Sequence, residues 1–160
     1  MPVHNFFKDR IASTEISIPA STFKCLLYST GWIDITNRVD QDYVTAATTN
    51  QGASHFELSS SPATGYARAT LGARTITEVD ARDAVEIDSN DITFSSVSSS
   101  AGVAGGMAIF AELAANDSSG RVMSSYYDFA TPVTPNGGDI TVQFSTGGWL
   151  EFLASTSDAS

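Results

Sequence analysis

Short apolar runs separated by glycine, proline and serine fill the last third of the chain: Met107–Phe110, Arg121–Phe129, Asp139–Ser145 and Gly148–Ser155. Alternation is cleanest in Asp139–Ser145, where Ile140, Val142 and Phe144 fall on one face and Thr141, Gln143 and Ser145 on the other. A period of two predicts a β-strand with one face in a core and one in water, because successive side chains of an extended chain point opposite ways. Upstream, the same punctuation predicts a strand at Glu15–Ile18, closed by Pro19, and one at Phe23–Tyr28, which runs into the turn cluster Ser29-Thr30-Gly31. Further strands are predicted at Gly65–Leu71, Val85–Ile87, Ile92–Val97, Gly102–Glu112, Val122–Phe129, Ile140–Ser145 and Trp149–Ala154. Pro135-Asn136-Gly137-Gly138 reads as a turn, and Gly105-Gly106 inside an apolar strand as a bulge or a close backbone approach.

Two segments break the pattern. Residues 1–14 carry Phe6, Phe7 and Ile11 at helical spacing, an arm or short helix. Residues 29–64 are rich in Thr, Ser, Asn and Gly with isolated aromatics, which predicts a long polar loop with a helical turn near Gln41–Ala47. Roughly eight or nine short antiparallel strands with turns between them predict an all-β fold, a single sandwich or jelly-roll-like domain. The expected organisation is an N-terminal arm at 1–14, a β-sandwich domain at 15–155 and a flexible tail at 156–160.

Composition narrows the function more than the fold. At 160 residues with 42% hydrophobic content the chain suits one globular core. No run approaches the roughly 18 apolar residues of a membrane-spanning helix, so no membrane partner is expected. No basic region precedes an apolar run at the N-terminus, so synthesis in a cytoplasm without a secretory signal is expected. The net charge is -10, and Arg10, Arg38, Arg68, Arg74, Arg82 and Arg121 are scattered, which argues against nucleic-acid binding. Cys25, alone in the chain, cannot form an internal disulfide and reads as a small core residue.

Candidate chemistry is sparse. His4 and His55 are the only imidazoles, neither lies in a triad-like motif, and no GxSxG elbow is present. One cysteine and two distant histidines do not make a zinc set, and the glycine pairs lack the flanks of a phosphate loop. Glu78, Asp80, Asp83, Glu86, Asp88 and Asp91 form an acidic cluster that offers oxygen ligands to calcium but lacks the EF-hand spacing; alternate strand positions and an Asx turn account for it without metal. No catalytic residue, cofactor or metal is therefore expected, and the protein is read as non-enzymatic.

The order of segments resembles that of small β-rich structural proteins of tailed bacteriophages. The likeness spans residues 5–155. It rests on Phe23-Lys24-Cys25-Leu26-Leu27-Tyr28, Gly65-Tyr66-Ala67-Arg68, Asp83–Asp88 leading into Asp91–Phe94, the small-residue strand Ala101–Glu112, and Gly147-Gly148-Trp149-Leu150. Its most specific block is Tyr127–Phe144. The resemblance implies a virion protein without catalysis, most simply a capsid decoration or cement protein on the capsid exterior. Its partners would be the major capsid protein and copies of itself; trimers would suit three-fold joints, although no residue pattern encodes three. On that reading Phe6, Phe7 and Arg10 of the arm supply the attachment, or else residues 1–14 simply cap the sandwich. The alternative is a tail or fibre-associated module that binds a host surface glycan or protein through loop 29–64, with Trp32, Tyr43, His55 and Phe56 as contacts.

Overall fold

The computed structural model describes residues 3–33, 42–44, 56–60, 63–82, 84–117, 119–145 and 147–153. In chain order these form helix α1 (Asn5–Ala12), strand β1 (Thr22–Ser29), the one-turn helix α2 (Thr30–Ile33), and strands β2 (Ala69–Thr70), β3 (Arg74–Val79), β4 (Ala84–Ser89), β5 (Ile92–Phe94), β6 (Ala104–Glu112), β7 (Arg121–Val133), β8 (Ile140–Val142) and β9 (Leu150–Leu153). All pairings are antiparallel. The main sheet has the order β2-β1-β6-β7; a second sheet is β3-β4-β9, and β5 and β8 form a two-stranded third.

This is not the single all-β sandwich or jelly roll that the alternation predicts. It is a mixed α/β domain with two helices and three separate antiparallel sheets, none closed on itself among the described residues. The physical reason lies in the main sheet, which is covered on both faces. Phe23, Cys25 and Leu27 of β1, with Met107, Ile109 and Ala111 of β6, pack into one core together with Phe7, Phe94 and Trp149. Leu26 and Tyr28, with Ala108 and Phe110, face a second core closed by Trp32, Val44, Phe56, Met123 and Tyr126. Every residue of β6 from Ala104 to Ala111 is buried, as expected of a central strand with no wet side. The covering residues Trp32, Val44 and Phe56 come from the segment that reads as a polar loop, so composition alone hides the second layer.

Smaller departures follow local backbone chemistry. Residues 15–18 bury Ile16 and Ile18 without forming a strand. The predicted strand at 92–97 stops at Phe94, because Ser96 takes a positive φ of 54° in a turn. Of the helical turn expected near 41–47, residues 41 and 45–47 lie outside the described residues, and Tyr43 makes a β-bridge to Val122. Residues 156–160 also lie outside them. Residues 5–12 are helical, and Phe7 is wholly enclosed, edge-on to Phe23.

Candidate functional site

Strand β7 is thirteen residues long and changes character halfway. Its first half, Val122 to Tyr126, is buried, and its outer edge is covered by bridges from Val3 to Ser125 and from Tyr43 to Val122. From Tyr127 onward the strand is largely exposed, with Tyr127 itself 45% exposed. The change occurs at Gly106. A Cβ there would lie 2.2 Å from the Tyr28 hydroxyl and 2.4 Å from the Tyr127 carbonyl oxygen, so only glycine fits. The bare backbone lets Tyr28 reach past β6 and donate a 2.7 Å hydrogen bond to Asp128 Oδ1. Beyond that point the register slips: Gly106 pairs with Asp128, and Ala104 pairs with Val133. The additional β7 residues bulge away from β6.

Opposite this bulged strand stands β8. Its pairs with β5 are Ile92↔Val142, Thr93↔Thr141 and Phe94↔Ile140. The Thr93 and Thr141 hydroxyls lie 3.0 Å apart, Asp139 Oδ1 accepts from the Ser96 amide at 2.9 Å, and Asp91 Oδ1 accepts from the Phe144 amide at 3.2 Å. The amide of Phe144 therefore faces the β5 side. Alternation along an antiparallel strand turns the amide and carbonyl groups of Thr141 and Gln143 to the other, outer edge. Among the described residues β8 has β5 as its only neighbour in that sheet.

Between the two strands runs a groove made of two adjoining cavities. One, of about 210 Å³, is lined by Tyr127, Phe129 and Val133 of β7 and by all four consecutive residues Ile140–Gln143. The other, of about 230 Å³, continues along Tyr127, Val142, Gln143, Phe144 and Ser145 to Gly148. Alternate residues of β7 line the groove while consecutive residues of β8 do, so β7 offers a face and β8 an edge. Phe129, Val133 and Phe144 are half-buried against the main core, which makes the groove floor continuous with the packed interior.

A second constellation lies near the end of the β6–β7 hairpin. Arg68 grips Glu57 through Nε and Nη2 at 2.8 and 2.7 Å and Asp117 through Nη1 and Nη2 at 2.8 and 2.9 Å. Arg121 joins Asp117 to Glu112 at 2.6 and 2.8 Å, and Lys24 reaches Glu112 at 2.6 Å. The Tyr66 hydroxyl donates to Glu57 and accepts from the Leu27 amide. Hydrogen bonds from Arg68 and then Arg121, against the opposing effect of burial, hold the Asp117 carboxyl down at about 2. Lys24, and then Arg121, lower that of Glu112. Burial pulls Arg68 down but its two carboxylate partners outweigh it, and its acidity falls below that of an ordinary arginine. Groups this strongly committed to one another act as a clasp, fixing charge rather than moving protons.

The residues singled out in the sequence fall in different places. Phe6, Arg10 and Tyr43 meet: the Arg10 guanidinium lies 4.5 Å over the Phe6 ring and pairs with Glu15, and Phe6 stands edge-on to Tyr43 at 5.3 Å. Phe7 and Trp32 are wholly buried, in the two cores on opposite sides of the main sheet, and offer no surface to a partner. Phe56 is buried as well, and His55 lies outside the described residues. His4 is buried edge-on to Tyr126. The acidic cluster is dispersed along β3 and β4; Asp88 accepts from the Ser89 amide, Asp91 is committed to β8, and Asp83 lies outside the described residues. Among the described residues no three acidic, histidine or cysteine side chains converge as a metal site.

The groove residues Tyr127, Phe129 and Val133 were not singled out by sequence reasoning. A signal for them exists in Pro132, since proline within a strand is confined to edges and bulges. Comparison with protein-family models, with curated proteins and with solved structures finds no match to the chain.

Proposed function

We propose that the protein is a non-enzymatic structural component of a tailed-bacteriophage particle, a capsid decoration or cement protein that binds and stabilises the outer shell. The observation that carries this reading is the groove between the exposed half of β7 and the outer edge of β8, within the segment Tyr127–Phe144 where the resemblance is most specific. Attachment needs a rigid body and a modest adhesive surface, because repetition on a symmetric shell multiplies weak contacts. The two-core sheet supplies the rigidity, and the groove supplies the surface. The charged clasp supports attachment over turnover, since its ions neutralise one another. On this reading the N-terminal helix serves the fold through Phe7.

The test is the number of copies per purified particle, measured against the major capsid protein by quantitative mass spectrometry. A ratio near one per capsid subunit, or a fixed large fraction of it, is expected; absence from particles would sink the proposal. One observation favours a second reading, a glycan-binding tail module: the exposed Tyr127 and the amide-bearing Gln143 line the same cavity, an aromatic and a polar group that together suit a sugar. A count near a dozen copies would favour it.

A further inference from the structure

We infer that the outer edge of β8 accepts an added β-strand from a partner, and that the strand is an extended segment alternating apolar and basic side chains. The inference deepens the attachment reading and rests on it for the identity of the partner as a shell protein. Three features of the groove determine the occupant. First, the outward amide and carbonyl groups of Thr141 and Gln143 are spaced as one ladder step, so an extended chain laid there continues the β5–β8 sheet. Second, Tyr127, Phe129 and Val133 form an apolar floor under that position, so every second side chain of the added strand meets hydrocarbon. Third, exposed carboxylates stand at both ends of β8: Asp139 directly precedes the strand, and Asp91 Oδ2 lies 3.3 Å from the Gln143 side-chain amide just beyond it.

Charge favours a basic partner over a second copy of this chain. The protein carries -10. Arg10, Lys24, Arg68 and Arg121 are each paired with carboxylates, and Arg74 is turned onto the carbonyls of Ile18, Pro19 and Ser21. Two copies meeting at this edge would bring like charges together, whereas lysine or arginine on the outer face of the added strand would offset Asp91 and Asp139 and the net negative charge.

The experiment titrates the full-length protein with a capped eight-residue peptide of alternating valine and lysine, followed by amide NMR and calorimetry. Saturable binding is expected, with shifts and slowed exchange confined to residues 140–145. The valine–glutamate analogue should bind at least tenfold more weakly. Tyr127→Ala, at an exposed position, should weaken binding about tenfold or more. Thr141→Pro removes an outward amide, along with the hydroxyl contact to Thr93 but no backbone bond to β5, and should abolish binding; Thr141→Val, which loses the hydroxyl alone, should bind as wild type, and melting curves of both show whether the fold persists. N-methylation of the peptide on one set of alternate amides should abolish binding, and on the other set should spare it.

No binding by the valine–lysine peptide, or binding indifferent to both Tyr127→Ala and Thr141→Pro, would overturn strand addition. Self-association that Tyr127→Ala abolishes would also overturn it, because a second copy would then be the occupant. Purified shells separate this result from the broader reading. Wild-type binding to shells without peptide binding leaves attachment standing and rejects strand addition; peptide binding at β8 without shell binding does the reverse.

Discussion

Gly106 is the residue on which the exposed site depends. The missing Cβ lets the Tyr28 hydroxyl reach Asp128, and the slip in register that follows lets residues 129–132 bulge away from β6 before Val133 pairs with Ala104. Gly106→Ala should destabilise the fold by about 2–3 kcal/mol in urea titrations, since the methyl meets a buried phenol and a backbone carbonyl rather than a movable chain end. Its expected role as a close-approach glycine inside an apolar strand was legible from the sequence; the identity of the approaching group was not. Cys25 offers a second residue-scale test. It is fully buried in the first core, and burial pushes its thiol far above its ordinary value. As the chain's single cysteine it should react with a thiol reagent only on unfolding, so native labelling should proceed at the rate of global opening. Rapid stoichiometric labelling of the native protein would contradict that packing.

At the scale of elements, helix α1 and strand β8 show what periodicity can and cannot reveal. β8 follows its pattern: Ile140 and Val142 are buried, Thr141 and Gln143 exposed, and Phe144 half-buried. A short strand with one wet face is set by its own residues, because alternation and burial are there the same fact. In α1 the spacing of Phe6, Phe7 and Ile11 indicates a helix but not which ring goes inward. Phe7 enters the core against Phe23, while Phe6 stays at the rim under Arg10. Phe7→Ala should therefore cost about 3–4 kcal/mol and Phe6→Ala about 1 kcal/mol, read as shifts in chemical-denaturation midpoints. Deleting residues 1–12 should go further: it removes Phe7 and also strips Val3 and His4 from the edge of β7, the latter holding a 2.9 Å amide bond to the Ser124 carbonyl. The shortened protein should melt at lower temperature and aggregate through that edge, measured by light scattering during a thermal scan.

For the whole molecule, the clasp around Arg68 sets a response to acid. Asp117, at about 2, and Glu112 are both held below their ordinary values when folded. A carboxyl depressed in the native state contributes stability in full above its unfolded value and loses it as pH falls through its folded value. Asp117→Asn should therefore cost about 1–2 kcal/mol at neutral pH, discounted for the partial exposure of the site, and the gap to wild type should close between about pH 4 and pH 2. Parallel denaturation series across that range would check it; a constant gap would show that the aspartate's charge is not what the clasp uses. The sequence by itself determined the strand-rich character, the one-faced alternation of β8, the buried cysteine and the acidic surface, because each depends on neighbouring residues or on sums over the chain. Only the tertiary structure decided that the main sheet is buried on both faces, that Trp32, Val44 and Phe56 close its second core, and that β7 bulges from β6 to leave a groove at β8. Those features depend on which distant segments meet: Tyr28 reaches Asp128 across a hundred positions, a relation that no local period of two or 3.6 residues encodes.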